Sequence, residues 1–259
     1  MIPLILKEEL WNGIPILHIV EEQYDVQEVP VMIFLHGFSS AKEHNLHYAY
    51  NLARQGIRVI LPDAHLHGVR DENLDEVQLG LRFWEVILTS IEEVGILKKE
   101  LLKRKLIVSK KIAVGGTSMG GITTLGCLTT YEWISSALVM MGTPGYEKLA
   151  RAQIGHFERG GFELPISADE RKKLFANLAY FDLTKQPKKL NQRPLYFWHG
   201  KNDTVVPFEP TYHFYKAMKK EYYDVPERIV FDADEIAGHS VSREGLLKAT
   251  SWVASQLND

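Results

Sequence analysis

The sequence holds a single cysteine, Cys127. One cysteine forms no intramolecular disulfide, so nothing in the chain calls for an oxidising compartment. Cys127 lies in an apolar helical stretch, where a thiol reads as packing rather than as a nucleophile. Long hydrophobic runs are missing too, and none approaches the roughly 18 apolar residues of a membrane span. The N-terminal "MIPLILKEELWNG" has only a short apolar run, ended by Lys7, Glu8 and Glu9. It lacks the basic start of a secretory signal. Charge of one sign is not in excess either: 30 Lys and Arg against 33 Asp and Glu leave a net −3. That balance argues against nucleic acid as a partner. There is no internal repeat, no low-complexity tract and no linker rich in Pro, Gly and Ser. These absences lead to the expectation of one cytoplasmic domain over residues 1–259, with neither nucleic acid nor a membrane as partner.

What is present is an alternation. Hydrophobic residues make up 45% of the chain, enough for a sizeable core. Short apolar runs rich in branched residues cover 16–20, 29–37, 57–63, 111–116, 137–142, 194–200 and 228–233, and most end in Gly, Pro or Asp. They read as strands, and the later ones are apolar enough to be buried on both faces of a parallel sheet. Between them lie amphipathic segments. Leu74, Val77, Leu81, Trp84, Leu88 and Ile91 fall on one helical face and predict a helix over 74–94. Leu246, Thr250, Val253 and Leu257 predict another at the C-terminus. The βα alternation implies an α/β fold, a mostly parallel central sheet with helices on both faces. The first strands lie close together and are expected to pair antiparallel.

One segment breaks this rhythm. Residues 143–192 are longer than an ordinary connection between helix and strand. Inside them "SADE" (167–170) has a capping-box pattern, with Ser167 capping and Glu170 reaching back. A further helix is expected to begin near Tyr146. The segment reads as a small helical lid or cap inserted over a site, with a decorative helical pair as the alternative.

The sharpest motif is "AVGGTSMGG" (113–121). A strand runs into it and a helix leaves it, so Gly116-Thr117-Ser118-Met119-Gly120 matches G-x-S-x-G at a strand-to-helix turn. Glycines two before and two after Ser118 leave room for a strained turn. The hydroxyl then stands at a helix N-terminus, where negative charge is favoured. The bland alternative is a glycine-rich loop with an idle serine.

A serine needs a base, and the base needs an orienting carboxylate. The histidines that follow are His156, His199, His213 and His239. His239, in "EIAGHS", sits after the last strand and before the last helix, where a loop delivers an imidazole to the C-terminal edge of the sheet. His199 ends a strand and is expected to pack there, while His213 and His156 fall in helical segments. Asp203 in "HGKNDTVVP" lies just beyond the strand over 194–200 and is the favoured acid. Asp232, Asp234 and Asp182 are its competitors. Oxyanion donors are expected from the backbone N–H of Met119 and from that of Phe38 in "HGF" (36–38).

In order and context, "HGF", "GTSMG", "WHGKNDTVVP" and "AGHS" resemble the α/β-hydrolase family over almost the whole chain. "LPDAHLHG" (61–68) is also similar to a segment of that family. The resemblance is to the prolyl-oligopeptidase and dienelactone-hydrolase branch, in particular to its small bacterial serine esterases. It implies a Ser118–Asp203–His239 triad hydrolysing carboxylic esters without cofactor or metal. Dienelactone hydrolases use cysteine where this chain has Ser118. Prolyl oligopeptidases carry a β-propeller for which it has no room. The expected partner is a small-molecule ester, with a short acyl chain. The other readings are an amide or small-peptide hydrolase, an acyltransferase, and a non-catalytic binding protein. Asp63, His65 and His67 alternate as metal ligands can, but no further ligand cluster follows, so they read as a polar loop.

Overall fold

A computed structural model of the chain describes residues 2–161 and 166–258. Among the described residues eight strands form one sheet: β1 (Leu4–Trp11), β2 (Ile14–Glu21), β3 (Val29–Leu35), β4 (Arg58–Pro62), β5 (Ile107–Thr117), β6 (Ser136–Met140), β7 (Leu195–Gly200) and β8 (Ile229–Asp234). Their order is β1-β2-β4-β3-β5-β6-β7-β8. β1 and β2 pair antiparallel, as do β2 and β4, and the remaining pairs are parallel. This is the mostly parallel α/β-hydrolase fold, with the antiparallel pairs confined to its N-terminal side.

The strand period of two sorts the core into two layers. Val31, Ile33, Leu35, Val114 and Val139 face one side; Met32, Phe34, Ala113, Leu138 and Met140 face the other. The first layer is covered by α3 (Phe83–Lys103) and α4 (Met119–Thr130), through Val86, Ile91, Val94 and Leu125. The second is covered by α1 (Leu46–Ala53) and α8 (Arg243–Asn258), through Tyr48, Leu52, Val253 and Leu257. With apolar layers on both faces, the central strands are apolar throughout, as their sequences imply.

Three elements differ from the sequence expectation. β1 was not foreseen, because Lys7, Glu8 and Glu9 interrupt its apolar run; it is an edge strand, where charge discourages further pairing. β5 begins at Ile107, with the pairing to β3 passing from Val29–Ile107 to Val31–Ile112, so residues 108–111, among them the polar Ser109, Lys110 and Lys111, bulge out of register. The helix expected over 74–94 is two helices, α2 (Glu76–Leu81) and α3, meeting at Arg82, whose ψ of 8° leaves the α region. Asp75 caps α2 in a capping box with Gln78. The break lets Phe83 meet the Phe38 ring while Trp84 meets Tyr146, and an unbroken apolar stripe hides it.

Within 143–192 lie α5 (Tyr146–Arg159) and α6 (Ala168–Phe181), the latter capped by Ser167 and Glu170 as its sequence predicts. Tyr146 starts α5 as expected and is fully buried, its hydroxyl donating to the Ile122 carbonyl of α4. Trp84 donates to Gln153, and Leu178 and Leu183 are buried. The insertion is thus anchored to α3 and α4. α7 (Phe208–Met218) adds Phe214 and Met218 to the first layer.

Candidate active site

β5 ends in a turn that only small residues permit. Ser118 has φ 53° and ψ −114°, a strained conformation for a residue with a side chain. The turn is held because the Ser118 N–H donates to the Met140 carbonyl at 2.8 Å. A Cβ on Gly116 would lie 2.5 Å from the Leu35 carbonyl oxygen, and one on Gly120 would lie 2.1 Å from it. Both positions are therefore confined to glycine by the backbone of β3. Gly115 and Gly121 serve packing against Leu138 and Met140.

The structure brings Ser118, His239 and Asp203 together from three loops. His239 Nε2 lies 2.8 Å from Ser118 Oγ, and His239 Nδ1 lies 2.7 Å from Asp203 Oδ2. The carboxylate on one side requires Nδ1 to carry the proton, leaving Nε2 to accept the Ser118 hydroxyl proton. Asp203 is buried, which opposes its charge. Hydrogen bonds from His199, His239 and the Val206 N–H outweigh that cost and hold its carboxyl well below the usual carboxylate range.

The loops carrying Asp203 and His239 are stitched to each other. The Asn202 N–H donates to the Ala237 carbonyl at 3.0 Å, and a Cβ on Gly200 would meet that same oxygen at 2.4 Å. Asp234 accepts from the Ile236 and Ala237 N–H groups and shapes the turn before His239. The other competitors are engaged elsewhere. Asp232 accepts from the Tyr196 hydroxyl, and Asp182 from Thr184 and the Glu147 N–H near the start of α5. His213 faces Glu209 on α7, and His156 is exposed on α5.

The "HGF" turn lies against the serine: a Cβ on Gly37 would sit 3.5 Å from Ser118 Cβ. His36 is buried and both ring nitrogens are engaged. Its Nε2 accepts from the Ala64 N–H at 3.0 Å, so Nδ1 carries the proton and donates to the Gly37 carbonyl at 2.7 Å. Burial pushes the His36 pKa down to about 4, which keeps this tautomer neutral. In a trans peptide the N–H points away from the C=O. With the Gly37 carbonyl held toward His36, the Phe38 N–H is directed the opposite way. Met119 begins α4, and the first N–H groups of a helix have no intrahelical acceptor.

Asp63, His65 and His67 do not converge. Asp63 accepts from the backbone and ammonium of Lys42, at 2.9 and 2.8 Å, and from the Val69 N–H. His65 faces Glu85, and His67 packs on the Phe38 ring. The buried Lys42–Asp63 pair ties the loop after β3 to the end of β4, a role the sequence alone did not reveal. Tyr146 belongs to the core, because its ring fills the space above Gly126. Cys127 is likewise buried, which pushes its thiol pKa up and away from reactivity.

Residues 93–259 match the Prolyl oligopeptidase family. Over 252 residues the chain is 46% identical to a protein of Bacillus subtilis (strain 168) named "Putative esterase YitV", covering 97% of this chain and 99% of that one. It is 31% identical over 207 residues to "Esterase YjfP" of Escherichia coli (strain K12), with 80% and 82% of the two chains covered. Among solved structures, TT1662 from Thermus thermophilus superimposes with a TM-score of 0.77 over 99% of both chains at 18% identity, a likeness of fold.

Proposed function

The chain belongs to the prolyl oligopeptidase family of hydrolases, and from that premise we propose that it cleaves carboxylic esters with short acyl chains through Ser118, His239 and Asp203. The observation that carries this reading is His239, whose ring spans from Ser118 Oγ to Asp203 Oδ2 in the tautomer a general base needs. In this mechanism His239 Nε2 takes the hydroxyl proton as Ser118 Oγ attacks the ester carbonyl. Asp203 stabilises the imidazolium that forms. The Phe38 and Met119 N–H groups receive the oxyanion, and the tetrahedral adduct collapses with His239 protonating the leaving alcohol. Water, activated by the same imidazole, then releases the acid from the acyl-enzyme. The insertion over 143–192 caps the site and limits the substrate to small esters. No step draws on a cofactor or metal.

The test is hydrolysis of p-nitrophenyl acyl esters by the wild type and by Ser118→Ala. The variant should lose roughly three orders of magnitude or more in kcat and still fold. Activity equal to wild type in a clean preparation would refute the assignment. A chain-length series should peak at short acyl groups, and a maximum at long chains would refute that part. Turnover confined to amides in a mixed panel would displace esters as the substrate class.

A further inference from the structure

The acid of the site contacts two imidazoles, and only one of them touches the serine. His199 ends β7, four residues before Asp203, and is fully buried. Its Nε2 lies 2.8 Å from the Val206 carbonyl oxygen and 3.3 Å from Asp203 Oδ2. A ring nitrogen facing two oxygens must be the donor, because a lone pair there would meet only repulsion. The proton therefore sits on Nε2 and is shared between the carbonyl and the carboxylate. The other nitrogen, Nδ1, is buried without a hydrogen-bond partner among the described residues. An apolar side chain of similar size would leave nothing unpaired at Nδ1, whereas it would strip a donor from both oxygens. The polar ring therefore has its use at the Nε2 end.

We propose that His199 is a positioning residue for the reaction, one that fixes the Asp203 carboxylate through a shared Nε2–H. The inference rests on Asp203 acting as the acid of the proposed triad. Asp203 Oδ1 accepts from the Val205 and Val206 N–H groups, both at 2.9 Å, and Oδ2 accepts from His239. His199 closes this ring by holding the Val206 carbonyl of the same turn. The Phe208 ring, edge-on at 5.7 Å, fixes the imidazole in place. The turn thus keeps Oδ2 aimed at His239, and through it keeps the His239 Nε2 lone pair aimed at Ser118.

The experiment compares His199→Leu, His199→Gln and Asp203→Asn with the wild type. His199→Leu should lower kcat about tenfold with KM little changed, the effect expected for loss of one hydrogen bond to a charged group. His199→Gln keeps an N–H donor near the same point and should recover most of that loss. The low-field proton resonance of the His239 Nδ1–H should move or broaden in His199→Leu and return in His199→Gln. A residue that only fills space would leave that resonance unmoved. If His199→Leu does not fold, His199→Asn, whose shorter amide falls short of Asp203, replaces it in the comparison. Wild-type kcat in the Leu variant, or equal impairment of the Leu and Gln variants with the resonance unmoved, overturns the proposal while an inactive Asp203→Asn leaves the triad standing. An Asp203→Asn enzyme of full activity overturns the triad reading and this inference with it.

Discussion

Asp203 divides its two oxygens between its own turn and the neighbouring imidazoles. Oδ1 is consumed by the Val205 and Val206 N–H groups, and Oδ2 faces His239 and His199. Replacing it by asparagine keeps the size but turns one oxygen into a donor. If the amide nitrogen meets His239, it forces the wrong tautomer on the ring. If Asp203 is the acid proposed above, Asp203→Asn should lower kcat by roughly three to four orders of magnitude, as the loss of an orienting carboxylate does in serine-protease triads. Asp232→Asn should stay within a few-fold of wild type, because Asp232 faces the Tyr196 hydroxyl. Steady-state kinetics on the two variants decide this, and the reverse ranking would move the acid. The meeting of Ser118, Asp203 and His239 is legible in the sequence because each follows a readable strand, and strand ends bring their loops to one edge. For His199 the sequence shows only a ring at a strand end. Its second contact depends on the tight turn that folds Asp203 back over it, and nothing in the spelling of "WHGKND" displays that turn.

The elbow between β5 and α4 works because two glycines let the backbone of β3 approach. At Gly120 a methyl group would sit 2.1 Å from the Leu35 carbonyl oxygen and 2.8 Å from that of His36. Those atoms belong to a central strand and to the turn leading to Phe38, so they cannot give way as a side-chain tip would. Gly120→Ala should cost about 1–3 kcal/mol in denaturant unfolding, the range for overpacking. It should also lower kcat, since the displaced elbow moves against the "HGF" turn. At Gly121 the nearest approaches are 3.2 Å, so Gly121→Ala should be milder in both measurements. Equal effects would mean that the close approach to β3 does not control the elbow. Element types were legible where both faces of a strand are buried or where caps are explicit, as at Ser167. They were not legible for β1, whose edge position is a tertiary fact, nor for the break at Arg82, which an apolar stripe crosses unchanged.

Acidification should act on the molecule as a whole through histidines that the fold holds uncharged. His18, His36 and His67 all have lowered pKa values, with burial the main cause in each. They are spread over β2, the end of β3 and the loop after β4, so no single element accounts for the effect. In the unfolded chain these rings take up protons as the pH falls through about 6.5. In the native state they resist, and His36 does so down to about 4. Between those limits the unfolded state binds more protons, so the stability they contribute is present in full above about pH 6.5 and declines as the pH falls toward 4. For His36 alone the span is on the order of 3 kcal/mol. Asp203 adds nothing to this window. Its carboxyl is depressed, so its share survives until the pH drops below the ordinary carboxylate value of 3.8. Thermal melts should therefore show Tm falling by several degrees from pH 7 to pH 5, before any carboxylate in the site protonates. His36→Gln should start lower at pH 7, having lost the bonds to Gly37 and Ala64, and should then lose less on acidification than the wild type. A Tm that holds constant from pH 7 to pH 5 would mean that the buried rings accept protons without penalty. In that case the neutral His36 tautomer invoked to orient the Phe38 N–H would lose its basis as well.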